Sequence, residues 1–233
     1  FTAGSAVAAD LTVVSWGGAY TKSQVEAYHK PWMAKTGKSI VSEDYGGGIA
    51  EIKAQVESGN VTWDVVDVEL SDAIRACDEG LLENLNLADL PAGSDGTPAA
   101  KDFIAGTLSD CAVPNIVWTT IAAYDKTKFP GDKPKTMADF FDTKKFPGKR
   151  GLRKSAKATL EMALMADGVQ GADVYTTLGT KAGLDRAFAK LDSIKGDVVW
   201  WESGAQPPQI LADGEVVMTT AYNGRIFNAA VSE

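Results

Sequence analysis

Residues 11–45, LTVVSWGGAYTKSQVEAYHKPWMAKTGKSIVSEDY, decide the fold. Leu11 to Ser15 is a period-2 apolar run and reads as a strand. Gly17 and Gly18 form a turn. Thr21 and Gln24 have the spacing of a capping box and start a helix. Val25, Tyr28 and Trp32 share one face of it, Pro31 predicts a kink, and Gly37 closes it beside Lys35 and Lys38. Lys38 to Ser42 is a second strand. Further on, Gly46-Gly47-Gly48 opens a helix from Ile49 to Ser58, closed by Gly59. Trp63 to Val68, WDVVDV, is a third strand, and Ser71 caps a short helix that ends at Gly80. This alternation of strand and helix builds a parallel sheet with helices on both faces, an α/β fold.

The rest of the chain repeats the pattern after a surface excursion, Leu85 to Lys101, rich in Gly, Pro and Ser. Ile116 to Tyr124 reads as a strand long enough to cross between two lobes. Thr136 and Asp139 cap a helix. Strands are expected at Gly151 to Arg153, Asp197 to Trp201 and Val216 to Tyr222. Helices are expected at Ala158 to Ala166, Lys181 to Ile194 and Gln206 to Ala212.

The chain has 233 residues, 45% of them hydrophobic, enough for a sizeable core. A net charge of −8 argues against a nucleic-acid binder, which needs a basic face. No apolar run approaches the ~20 residues of a membrane helix, so no span is expected. One histidine and two cysteines are too few soft ligands for a zinc site, and no metal or cofactor is expected. Residues 1–9, FTAGSAVAA, hold a small-x-small pattern at Ala6-Val7-Ala8 and read as the remnant of a secretory signal. In the oxidising compartment this implies, Cys77 and Cys111, which flank the same loop, read as one structural disulfide; two buried free thiols are the alternative.

The sequence carries no GxGxxG, Walker A, HExxH, GxSxG or SxxK motif. Gly46-Gly47-Gly48 lacks the Lys-Ser/Thr of a phosphate loop. His29 reads as a solvated surface residue. More informative are aromatics at strand ends: Trp16 and Tyr20 around the first turn, Tyr45 after the second strand, Trp200 and Trp201 before Ser203, and Tyr222 before Arg225. Ligands of parallel α/β sheets bind outside the carboxyl ends of the strands. Aromatic faces there suit an amine through cation–π contact. Trp63 and Trp118 read as core packing.

A series of short motifs runs from Leu11 along nearly the whole chain. It comprises Ser15-Trp16 with Tyr20, Lys35-Thr36-Gly37, Tyr45, Trp63-Asp64-Val65-Val66 and Glu79-Gly80-Leu81-Leu82. Phe146-Pro147-Gly148-Lys149, Met162-Ala163-Leu164, Asp213-Gly214-Glu215-Val216 and Tyr222-Asn223-Gly224 continue it. In this order the chain resembles the periplasmic solute-binding proteins of ABC importers, in the spermidine/putrescine-binding branch. The resemblance implies a type II two-lobe α/β fold, each lobe a mostly parallel sheet flanked by helices, with crossing strands between them and the ligand in the cleft. It places lobe one at residues 10–118, lobe two at 119–221 and a second crossing at 222–233. Family members continue beyond this point, so lobe one is expected to lack its last strands here. The implied protein is a periplasmic monomer with no catalytic residues, partnered by an inner-membrane ABC permease.

The ligand departs from the branch. Polyamine binders carry an acidic residue just after the first-turn Trp and acidic residues after the first strand of lobe two. Here Gly17-Gly18 and Arg153-Lys154-Ser155 stand in those places. A cation facing an all-cationic ligand is unfavourable. Arg153 suits a carboxylate and Glu69 an ammonium group, which favours an ω-amino acid of the 4-aminobutyrate type over a polyamine. The expected ligand set is Trp16, Tyr20, Tyr45, Glu69, Arg153, Trp201, Ser203, Tyr222 and Arg225. Surface roles for Arg153 and Glu69, a two-lobe enzyme and a receptor-coupled sensor are the competing readings. An Fe(III) binder would need adjacent tyrosines, which the sequence lacks.

Overall fold

The computed structural model describes residues 10–232; the leader at 1–9 lies outside the described residues. The chain forms two compact units, Phe1–Val117 and Trp118–Glu233.

In the first unit β1 (Leu11–Ser15) leads through a turn into α1 (Gly18–Gln24), a π-helical turn (Val25–His29) and α2 (Lys30–Thr36). Then come β2 (Ile40–Asp44), α3 (Ala50–Ser58), a two-residue β3 (Val65–Val66), α4 (Leu70–Asp78) and a short α5 (Ala99–Asp102). Among the described residues the strands form one parallel sheet, ordered β2-β1-β3. Val14, in its central strand, is fully buried.

Three expectations for the first helices do not hold. Helix α1 starts at Gly18, behind Gly17, so Thr21 and Gln24 are not a capping box; Thr21 accepts the Gly17 N–H from inside the helix. The helix does not simply kink at Pro31. Proline lacks an N–H and crowds the carbonyl four residues back, and the chain answers with a wider π turn just before it. That turn carries His29 inward. His29 is 6% exposed, not a surface residue, with Nδ1 3.4 Å from the Ser42 hydroxyl.

Cys77, near the end of α4, is bonded to Cys111 across 34 positions. In the chain-entropy account such a closure contributes roughly 3–4 kcal/mol.

The second unit runs β4 (Thr120–Tyr124), α6 (Met137–Phe141), β5 (Arg150–Arg153), α7 (Thr159–Ala166), α8 (Val174–Leu178), α9 (Lys181–Asp192), β6 (Val198–Trp201), α10 (Gln206–Ala212), β7 (Met218–Tyr222) and α11 (Asn223–Ser232). Its strands are ordered β4-β7-β5-β6, parallel except for the β4–β7 pair. The core lies between this sheet and α6, α7 and α9, built from Phe140, Phe146, Leu152, Leu164, Ala187 and Met218. Thr136 and Asp139 form the capping box of α6. The expected strand from Ile116 begins only at Thr120; Ile116 and Val117 are exposed and lie outside it. Residues 223–232, within the segment expected to cross back, form α11 and belong to the second unit.

Arg150 is the unusual core residue. It is fully buried, and its guanidinium donates to the carbonyls of Phe140, Asp142, Phe146 and Gly148. A buried cation without such partners would be strongly destabilising; here the fork ties the loop between α6 and β5 to the sheet.

Candidate functional site

The first cluster is built by the turn after β1. Gly17 has φ 71°, and a Cβ there would stand 2.8 Å from Asp44 Oδ2. Only glycine lets the turn pass this close to the end of β2. Thr21 locks the turn: its hydroxyl accepts the Gly17 N–H at 2.8 Å and donates to Asp44 Oδ1 at 2.8 Å. Trp16 and Tyr20 then stack, ring centroids 5.7 Å apart and 27° between planes.

Tyr45 follows β2, and its N–H donates to the Ser15 carbonyl. The Tyr45 phenol donates to the Asp67 carbonyl, and the Trp16 side chain lies near enough to bear on its ionisation. Burial, and less strongly the charge of Asp67, push the ionisation of Tyr20 and Tyr45 upward, so both remain neutral donors and acceptors. Trp63 is not core packing: it is half-buried, edge-on to Tyr45 at 5.3 Å, with its N–H on Glu43 at 3.0 Å. Glu69 is the half-buried N-cap residue of α4, two positions beyond Asp67.

Asp67 was not among the expected residues, nor were the side chains that hold its carboxylate. Ser15 and Gln24 donate to Oδ2 at 2.7 and 2.6 Å, and Asn115 donates to Oδ1 at 3.3 Å. The same Asn115 amide donates to the Tyr20 hydroxyl at 3.0 Å. These residues come from four separate segments, so no local spacing announces them.

The second cluster forms at the carboxyl ends of β5, β6 and β7. Arg153 and Trp201 are register partners. The Arg153 guanidinium carbon lies 5.8 Å from the Tyr222 ring centroid, a cation–π arrangement. Trp201 is buried and meets Tyr222 edge-on at 5.8 Å; Trp118 meets the same ring edge-on at 5.0 Å. Trp118 is 37% exposed, so it too is not core packing. Gly204 makes the crowding possible, since a Cβ there would stand 2.7 Å from the Tyr222 ring and 3.0 Å from Arg225 Nε. Ser203 lies beside Gly204, its N–H held with that of Glu202 by the Gln206 side chain. Lys154 is turned to an exposed ion pair with Glu202.

The nine expected residues thus fall into two groups: Trp16, Tyr20, Tyr45 and Glu69 in the first unit, and Arg153, Trp201, Ser203, Tyr222 and Arg225 in the second. Among the described residues no group of three or more His, Cys, Asp or Glu is placed to hold a metal ion, and no helix is long and apolar enough to cross a membrane.

The Gamma-aminobutyric acid-binding protein of Pseudomonas aeruginosa is 50% identical over 224 residues, 96% of this chain and 61% of that protein. The chain therefore spans less than two thirds of that relative. Among solved structures, the PBP MotA from A. tumefaciens B6 in complex with glucopine has a TM-score of 0.87 at 35% identity, covering 96% of this chain and 67% of that one. The Atu4243–GABA receptor has a TM-score of 0.77 at 36% identity, covering 96% and 65%. Such neighbours are two-lobe periplasmic binding proteins, the architecture that the resemblance implied. Residues 27–232 match the description "Bacterial extracellular solute-binding protein", and with aromatics and an arginine gathered at strand ends, the chain belongs to that family.

Proposed function

We propose that this chain is the substrate-capturing component of an ABC importer, working in the periplasm and handing its ligand to an inner-membrane permease without chemical change. Its ligand is a small ω-amino acid of the 4-aminobutyrate type. The observation that carries this reading is the Arg153 guanidinium at the end of β5, against the Tyr222 ring. That planar fork recognises a carboxylate with two parallel hydrogen bonds. The Trp16–Tyr20 stack and Tyr45 offer faces to an ammonium group, with Glu69 as its counter-charge. The two clusters together suit a ligand with an amine at one end and an acid at the other. The 50% identity to a protein named for gamma-aminobutyric acid supports the same class. Transport follows if the permease meets a liganded form distinct from the empty one.

Calorimetric titration of the full chain with 4-aminobutyrate, putrescine and butylamine tests the reading. Heat with 4-aminobutyrate and none with the two amines is expected. Preferential binding of putrescine would return the chain to the polyamine class and remove the role given to Arg153.

A further inference from the structure

The first unit contains a polar centre, outside the expected ligand set, that is linked to the aromatic residues of its cluster. Asp67 directly follows β3, whose two residues pair with β1. Its carboxylate takes hydrogen bonds from Ser15 and Gln24, which are 1% and 5% exposed. Two buried donors aimed at one carboxylate oxygen give it a fixed place. Gln24 shows how strongly the arrangement is specified. Its amide nitrogen serves Asp67, while its own carbonyl oxygen is buried with no partner among the described residues. Turning the amide over would set that oxygen against the carboxylate, so the unmet acceptor is the smaller penalty.

From this anchored residue two links run outward. The Asp67 carbonyl receives the Tyr45 hydroxyl, whose ionisation the neighbouring Trp16 side chain also influences. Oδ1 receives the Asn115 amide, which also holds the Tyr20 hydroxyl. Asn115 comes four residues after Cys111, so the disulfide restrains the segment that delivers it. Trp16 and Tyr20 stack on each other, and the two links close into one network.

We infer that Asp67 is the positioning residue of this aromatic cluster, setting Tyr45, Trp16 and, through Asn115, Tyr20 for the amine end of the ligand. The inference rests on the amine-recognition reading above. It differs from the role of Glu69, which meets the ammonium itself, because the Asp67 oxygens are committed to protein donors. A preformed set of rings binds more tightly than one that must be ordered by the ligand.

The test uses full chains of the parent, Asp67→Asn and Asn115→Ala. Each is titrated with 4-aminobutyrate by calorimetry, and its near-ultraviolet circular dichroism is recorded without ligand. Asp67→Asn should weaken binding about ten- to a hundredfold and alter the aromatic dichroism while the far-ultraviolet spectrum is retained. Asn115→Ala changes an exposed residue and stands in if Asp67→Asn does not fold. It should weaken binding about three- to tenfold, and that loss should largely vanish in a Tyr20→Phe background, since the amide acts through the Tyr20 hydroxyl. A loss that simply adds to that of Tyr20→Phe overturns the inference, as does unchanged affinity with unchanged dichroism in Asp67→Asn. A parent that gives no heat with 4-aminobutyrate defeats the ligand assignment instead; the ligand-free dichroism of the variants then still decides the role of Asp67.

Discussion

In the proposed reading a single guanidinium, that of Arg153, carries the ligand choice. With Arg153 cut to alanine, a ligand carboxylate would lose a charge-assisted bidentate partner in a desolvated setting. Affinity for 4-aminobutyrate should fall roughly 30- to 1,000-fold, equivalent to about 2–4 kcal/mol. Arg153→Lys should recover only part, because a point charge cannot reproduce the fork. Calorimetry on the two variants checks both statements, and an alanine variant that binds as well as the parent would return Arg153 to the surface. The positions of Trp16, Tyr45, Trp201 and Tyr222 were legible because each aromatic sits at a strand end, and strand ends can be read from period and glycine. Asp67 was not. It is one of 31 acidic residues, and what distinguishes it is the meeting of Ser15, Gln24, Tyr45 and Asn115 around it, a product of tertiary packing. Gly204 was equally silent, since a glycine in a loop does not announce the ring it makes room for.

Among the elements, the π turn at Val25–His29 has a consequence for acid stability. Burial lowers the pKa of His29 from 6.5, with the charge of Asp67 working weakly against it. The folded protein therefore keeps the imidazole neutral where the unfolded chain would protonate it. This contribution to stability is complete above about pH 6.5 and is lost as the pH falls from there toward the lowered folded value. Thermal unfolding measured from about pH 7.5 down to about pH 5.5 should show a falling midpoint, and His29→Gln should flatten that part of the curve. Because His29 is the sole histidine, its imidazole resonance can be followed directly; a titration midpoint at or above 6.5 would refute the argument. The order of strands and helices was legible throughout, because apolar period and glycine breaks mark it. Lengths were less so. WDVVDV yields only a two-residue strand, and exposed Ile116 and Val117 resemble a buried run in sequence alone.

At the scale of the whole molecule, the disulfide belongs entirely to the first unit. Reducing it should cost that unit roughly 3–4 kcal/mol in the chain-entropy account and leave the second unit as it was. Hydrogen exchange with and without reductant tests this: amides of α4 and of the segment around Asn115 should exchange faster, those of β5 and β7 unchanged. Uniform acceleration across both units would show that the bridge stabilises more than its own loop. Another feature concerns how the second unit is attached. Its first strand, β4, and its last, β7, are antiparallel neighbours, with Thr120 opposite Tyr222. Asn223 continues the ladder: its N–H donates to the Thr119 carbonyl and its side chain accepts the Thr119 N–H. The polypeptide thus returns at Asn223 to the point where this unit's first strand began, and α11 continues from there within the same unit. A segment with adjacent ends is a module in the sense used by protein engineers: a host need offer only two neighbouring attachment sites, as in a single hairpin loop, to accept residues 119–223 as an insert.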